Sequence, residues 1–133
     1  MKYWLFVTDE DNWKIIRDKE IYGFNDKTKK LLEKLNENDL VIVYIKGKLI
    51  GGCFEIKSLK EESKIKFNGG GYPYKIKLKK IIVPESPMDF TKNMIDSISI
   101  FKDKKKWGTI LMGRATKEIT KKDYYFLEER LRC

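Results

Sequence analysis

Histidine is missing from all 133 residues. With it go the commonest general base at neutral pH, the commonest metal ligand, and every Ser-His-Asp or Cys-His mechanism. Cysteine is scarce. Cys53 and Cys133 form no CxxC pair from which a zinc cluster could be assembled. Cys53 lies in an apolar stretch and reads as a small packing group, Cys133 as a loose thiol. No apolar run approaches the roughly 20 residues of a membrane-spanning helix. Met1-Lys2 leads into Tyr3-Trp4-Leu5-Phe6-Val7 and then acids, without the pattern of a cleaved secretory signal. Low-complexity tracts and internal repeats are absent, and Pro84 and Pro87 mark a connection rather than a boundary. The expectation is one cytoplasmic domain over residues 1–133, with no membrane contact, metal or cofactor.

Acids are in deficit: 20 Asp plus Glu stand against 29 Lys plus Arg, a formal +9. On so small a body that excess makes a positive field that attracts polyanions, nucleic acid first among them. Apolar residues at 41% and aromatics at 13% suffice for one core, and 37% charged residues suit a solvated surface.

Periodicity supplies the elements. Residues 2–8 read as a buried strand. Thr8 or Asp9 caps a helix whose acids Asp9, Glu10 and Asp11 sit at its positive end, with Trp13, Ile16 and Arg17 on one face. Tyr22-Gly23-Phe24 falls in a loop, and Asn25 or Asp26 starts a second helix through about Leu35. Asn36 to Asp39 is a turn cluster, Leu40 to Ile45 an apolar strand, and Lys46-Gly47-Lys48 a tight turn into Leu49–Ile56. Gly51-Gly52 inside that strand signals a bulge or the close approach of another backbone or a ligand. Lys64 to Phe67 and Lys75 to Lys79 alternate, each setting a row of lysines toward solvent. Phe90 to Ile100 holds a short helix, Lys102 to Lys106 a basic loop, and Thr120 caps a terminal helix carrying Tyr124, Phe126, Leu127 and Leu131. Strand, helices, a run of strands and a closing helix make an α+β fold with a curved or closed mixed sheet.

Little in this chain looks catalytic. Gly69-Gly70-Gly71 lacks the strand before, the helix after and the Lys-Ser/Thr of a phosphate loop, so a hairpin loop is expected. The pairs Glu61-Glu62 and Glu128-Glu129 are adjacent, point apart and read as solvated surface. More telling is where aromatics meet glycine or proline near lysines: Trp13, Tyr22-Gly23-Phe24, Tyr72-Pro73-Tyr74 and Trp107-Gly108. Flat rings and exposed amides can converge there on a planar guest. Stacking contributes about 1–3 kcal/mol per base while lysines outside hold phosphates.

The order and spacing of these pieces resemble the EVE family of the PUA-like superfamily, which includes the YTH and ASCH domains. The likeness runs from Tyr3-Trp4-Leu5 through Asn12-Trp13, Tyr22-Gly23-Phe24, Gly51-Gly52-Cys53-Phe54-Glu55 and Tyr72-Pro73-Tyr74-Lys75-Ile76. It continues through Trp107-Gly108 and Leu111-Met112-Gly113-Arg114 to Ile119 and Asp123. The resemblance implies a small mixed β-barrel flanked by helices, with a pocket beside the first strand for a modified base of RNA or DNA. Carried onto this sequence, Thr8, Asn12 and Trp13 form the pocket's strand and helix edge. Tyr22, Gly23 and Phe24 form one wall, Trp107 and Met112 another, and Arg114 meets a phosphate, joined by Lys104, Lys105 and Lys106 of the basic loop. Tyr22 stands where the family often has Trp, which narrows the stacking surface, adds a hydroxyl and changes which base fits.

The resulting expectation is a non-enzymatic reader of a modified nucleobase. Lysines along 57–80 (eight against Glu61 and Glu62, a net +6) and 102–106 track the backbone. Two other readings stay open. An enzyme on nucleotides or nucleic acid would need Asp, Glu, Lys or Tyr with a shifted pKa in the pocket. A small-molecule sensor or protein-interaction module would leave the basic surface without a role.

Overall fold

The computed structural model describes residues 1–24, 29–46, 49–59, 74–89 and 116–132. Along the chain run β1 (Tyr3–Thr8), α1 (Glu10–Lys19), β2 (Ile21–Phe24), a 3₁₀ helix (Lys29–Lys34), β3 (Leu40–Ile45), β4 (Leu49–Ser58), β5 (Tyr74–Ile82), β6 (Met88–Asp89), β7 (Thr116–Ile119) and α2 (Lys121–Arg132).

The cap of α1 is Asp9, whose carboxylate accepts the Asn12 N–H at 2.7 Å. Trp13 and Ile16 point inward as the spacing predicts, whereas Arg17 stays at the surface in an ion pair with Asp18. Glu20 ends the helix in the left-handed region at φ 55°, and its N–H donates to the Ile16 carbonyl at 2.9 Å. The chain then leaves at once as a strand. That corrects the expected loop at Tyr22-Gly23-Phe24: these residues are β2, paired antiparallel with β5 so that Tyr22 faces Ile76 and Gly23 faces Lys75. Of the expected second helix, the described residues hold a 3₁₀ helix over Lys29–Lys34, after which Leu35 is buried. The elements expected at 64–67, 69–71, 90–100 and 102–106 lie outside the described residues.

Six strands run in the order β2-β5-β4-β3-β1-β7, and β6 pairs with β4 beside β5. The β1–β3 pair is parallel and the rest are antiparallel, so the sheet is mixed. Three irregularities bend it. Gly51 and Lys57 are extra residues on β4, against β3 and β5 respectively, and Ile81 is extra on β5. A bulge increases local twist, and the outcome is measurable. Tyr22, on a strand at one end of the order, lies with its ring 4.5 Å from that of Phe6, four strands away along the path. The sheet therefore curls back on itself as the barrel reading requires.

Strands β1, β3 and β4 are buried on both faces, which explains their near-continuous apolar runs. One face packs Leu5, Val7, Ile42, Tyr44 and Cys53 under α2 through Tyr124, Leu127 and Leu131. The inner face gathers Trp4, Phe6, Val43, Phe54 and Ile76 with Trp13, Ile16, Tyr22 and Phe24. Strand β5 shows the expected alternation: Ile76 and Leu78 are buried, Lys75 and Lys77 half-buried, and Lys79 exposed. Thr120 caps α2, its Oγ1 accepting the Asp123 N–H at 3.1 Å. Glu128 is less solvated than its sequence suggests, being half-buried and paired with Arg132 at 2.9 Å.

Among the described residues, the buried Tyr124 hydroxyl finds no partner of good hydrogen-bond geometry. Burial, with Glu128 and the Cys53 thiol as polar neighbours, pushes this phenol far above its usual range, so it stays protonated. Burial likewise raises the Cys53 thiol, which packs as the neutral hydrophobe the sequence suggests. A buried donor left unmade costs about 1–3 kcal/mol. Tyr124→Phe should therefore raise the urea midpoint, by about 1 kcal/mol in stability; a lowered midpoint would mean that the hydroxyl is satisfied.

Candidate nucleic-acid interface

The C-terminal end of β1 is where the described candidate residues gather. Thr8 closes the strand, its carbonyl accepting the Lys46 N–H at 2.8 Å and its hydroxyl donating to the Asp9 carbonyl at 3.3 Å. One residue further, the Asp9 carboxylate caps α1 and also accepts the Asn12 side-chain amide at 3.3 Å. Asn12 is thus oriented by the helix cap, and it is buried.

Trp13 follows on α1 with its indole 78° to the ring of Phe54 at 6.0 Å and the far rim of its benzene ring against Gly51. It is 3% exposed. From the other side, Tyr22 of β2 donates its hydroxyl to the Val7 carbonyl at 2.7 Å. That bond ties β2 to the β1–α1 junction without any ladder between β1 and β2. Tyr22 also packs against Phe24 at 5.1 Å, and Phe24 is fully buried, meeting Phe6 edge-on at 6.0 Å.

Thr8, Asn12, Trp13 and Tyr22 are therefore brought to one place, with Gly23 and Phe24 next to them on β2. Trp107 and Met112, and the phosphate candidates Lys104, Lys105, Lys106 and Arg114, lie outside the described residues. Two contributors were not among the sequence candidates. Asp9, seen there as a cap, also fixes Asn12. Gly51, flagged for the approach of a backbone or a ligand, meets a side chain instead, the Trp13 indole.

On the outer side, β5 sets Lys75 directly opposite Gly23 and Lys77 opposite Ile21, so a row of ammonium groups borders the strand that holds Tyr22. Lys77 Nζ donates to the Lys19 carbonyl at 3.2 Å, at the end of α1. The described residues contain no cluster of three metal-ligating side chains and no helix long and apolar enough to cross a membrane.

The family model for the EVE domain matches residues 2–130. The chain belongs to the EVE family. A UPF0310 protein of Pyrococcus abyssi is 30% identical over 145 aligned positions, covering 98% of this chain and 100% of its own. One of Pyrococcus horikoshii is 31% identical over 147, covering 98% and 99%. Among solved structures, the Mmi1 YTH domain in complex with RNA superposes at a TM-score of 0.71 with 12% identity, over 98% of this chain and 80% of its own. The YTH domain of the Zygosaccharomyces rouxii MRB1 protein, in complex with N6-methyladenosine RNA, gives 0.66 with 14% identity, over 98% and 87%. This EVE domain therefore shares the α+β fold of the YTH domains.

Proposed function

We propose that this EVE domain binds nucleic acid and receives a modified nucleobase at the C-terminal end of β1, as a reader rather than an enzyme. The observation that carries the reading is the Tyr22 hydroxyl on the Val7 carbonyl. It draws an aromatic wall against a polar junction that already holds Asn12 and Trp13. Trp13 and Tyr22 stack on the guest, and Thr8, Asn12 and the amides near Gly23 read its edge. Phe24 has no exposed surface, so its part is to hold Tyr22 from behind. Trp107 and Met112, which lie outside the described residues, belong to another wall on the strength of the family resemblance. Lys104, Lys105, Lys106, Arg114 and the β5 lysines meet the phosphates.

Trp13 and Tyr22 are each 3% exposed, so a base reaches them only by displacing what covers them. That cost adds to the few kcal/mol of eversion from a stack, against about 1–3 kcal/mol gained per stacked base. Selectivity for a modification follows from this near balance, because a methyl group filling apolar space tips it. The MRB1 YTH domain, captured with N6-methyladenosine RNA, supports the reading by its shared fold. Catalysis gains no comparable support from the buried carboxylates of the described residues. Asp39 accepts three N–H groups at the far end of β1, and Asp123 lies in the first turn of α2.

The test is fluorescence anisotropy on modified and unmodified RNA and DNA oligonucleotides at two salt concentrations, repeated with Trp107→Ala. The expected result is about a tenfold or greater preference for one modification, lost in the variant, and affinity that falls steeply with salt. Equal binding of every base by both proteins would reject the pocket.

A further inference from the structure

The two glycines of β4 are not equivalent. A Cβ on Gly52 would stand 2.7 Å from the Ile82 carbonyl oxygen and 2.9 Å from Val83 Cγ2, so Gly52 serves the approach of β5. A Cβ on Gly51 would meet a different neighbour: Trp13, at 2.6 Å from Cη2 and 2.8 Å from both Cζ2 and Cζ3. Gly51 is also the extra residue where β3 and β4 slip register, between the Val43–Gly52 and Tyr44–Ile50 pairs. The bulge thus presents a bare α-carbon to the rim of an indole.

We propose that Gly51 is a positioning residue for the base pocket: its missing side chain sets how deeply the Trp13 ring enters and hence the plane offered to the guest. The proposal rests on the base-reading function argued above. Its physical basis is stiffness. The three crowded atoms belong to a rigid bicycle with two rotatable bonds, so no flexible end can bend aside. Phe54 stands edge-on at 6.0 Å and closes one direction of retreat. The backbone of the first turn of α1 is pinned by the Asp9–Asn12 bond at 2.7 Å. A side chain at position 51 must therefore tilt the indole away from Phe54 or drag the start of α1, and either change disturbs the pair Asn12 and Trp13 together.

The experiment compares Gly51→Ala with Cys53→Ala, a truncation on the opposite face of the same strand. The readouts are the Trp13 indole N–H signal in ¹H–¹⁵N spectra, assigned by its loss in Trp13→Phe, and affinity for the preferred oligonucleotide. Gly51→Ala should move the signal and weaken binding about tenfold, while Cys53→Ala binds as the parent does. In a Trp13→Leu background, Gly51→Ala should change neither stability nor affinity by more than about twofold, since the clash is gone. A folded Gly51→Ala protein with an unmoved signal or unchanged affinity overturns the proposal. Should Gly51→Ala not fold, Trp13→Leu with Gly51→Ala decides: recovery of folding supports the proposal, and joint failure overturns it. If the parent prefers no modified base, the reading function fails separately, while the indole signal and the double variant still decide what Gly51 does for Trp13.

Discussion

Replacing Asp39 by alanine should lower stability by about 3–5 kcal/mol, seen as a reduced urea midpoint at unchanged m. The carboxylate is 1% exposed and accepts from three donors: the Lys2 backbone N–H, the Trp4 indole N–H and the Asn36 backbone N–H, each at 3.0 Å. These come from the start of β1, from a core tryptophan and from the turn before β3, so one side chain joins segments about 35 positions apart. The backbone repeats the stitch. Asn38, at φ 74°, donates to the Ile56 carbonyl at 2.8 Å, and Ile56 donates to the Asp39 carbonyl at 2.9 Å. Alanine would strand three donors where water enters poorly. Asp39→Asn retains one acceptor oxygen but turns an amide donor toward the others, so it should cost roughly half as much. Asp18→Ala, which removes only an exposed ion pair with Arg17, should leave the midpoint where it is. Because Asp39 lies at the opposite end of β1 from Thr8, a folded Asp39→Asn protein should keep its affinity for oligonucleotides. Equal midpoints for Asp39→Ala and the parent would show that the three bonds add nothing to the fold.

That hub was invisible in the sequence for a definite reason. Asn36-Glu37-Asn38-Asp39 reads as a turn whether its last carboxylate faces water or the core, and only Trp4 and Lys2, distant in the chain, settle which. Elements written in local pattern were legible: the apolar runs of β1 and β3, the alternation of β5, the Thr120 cap, and the irregularity at Gly51-Gly52. Tyr22-Gly23-Phe24 read as a loop because β2 is only four residues long and, with a glycine inside it, carries almost no strand signal. Its pairing with Tyr74–Lys77 decides the matter from some 50 positions away. Thr116–Ile119 was not read as a strand either, since Thr-Lys-Glu-Ile shows no alternating apolar face and is placed by β1 alone. The site followed the same division. Residue types at Thr8, Asn12, Trp13 and Tyr22 were readable through the family resemblance. What orients them was local only for Asn12, whose cap Asp9 lies three positions away; Val7 on Tyr22 and Gly51 under Trp13 are tertiary facts.

The lysine row gives the second large effect. Changing Lys75, Lys77 and Lys79 together to glutamine should weaken oligonucleotide binding about a hundredfold at low salt and flatten its salt dependence. Each cation that neutralises a phosphate contributes about 0.7 to the slope of log affinity against log salt on a single strand and about 0.9 on a duplex. Loss of three should therefore reduce the slope by about 2 or about 3, and the size of the reduction reports which form is bound. Glutamine is one methylene shorter than lysine but stays polar, and what position 77 loses is one exposed bond to the Lys19 carbonyl, so the sheet should hold. A free modified nucleoside is the decisive comparison, since it enters the pocket without a phosphate chain. The triple variant should bind it as tightly as the parent does. If nucleoside and oligonucleotide instead bind equally well to the parent, the lysines contribute nothing and the pocket belongs to a small-molecule sensor. If both fall together in the variant, the row acts on the pocket itself, through the β2 strand that Lys75 and Lys77 face. Only a loss confined to the polymer fits ammonium groups that hold a backbone beside a ring-lined slot.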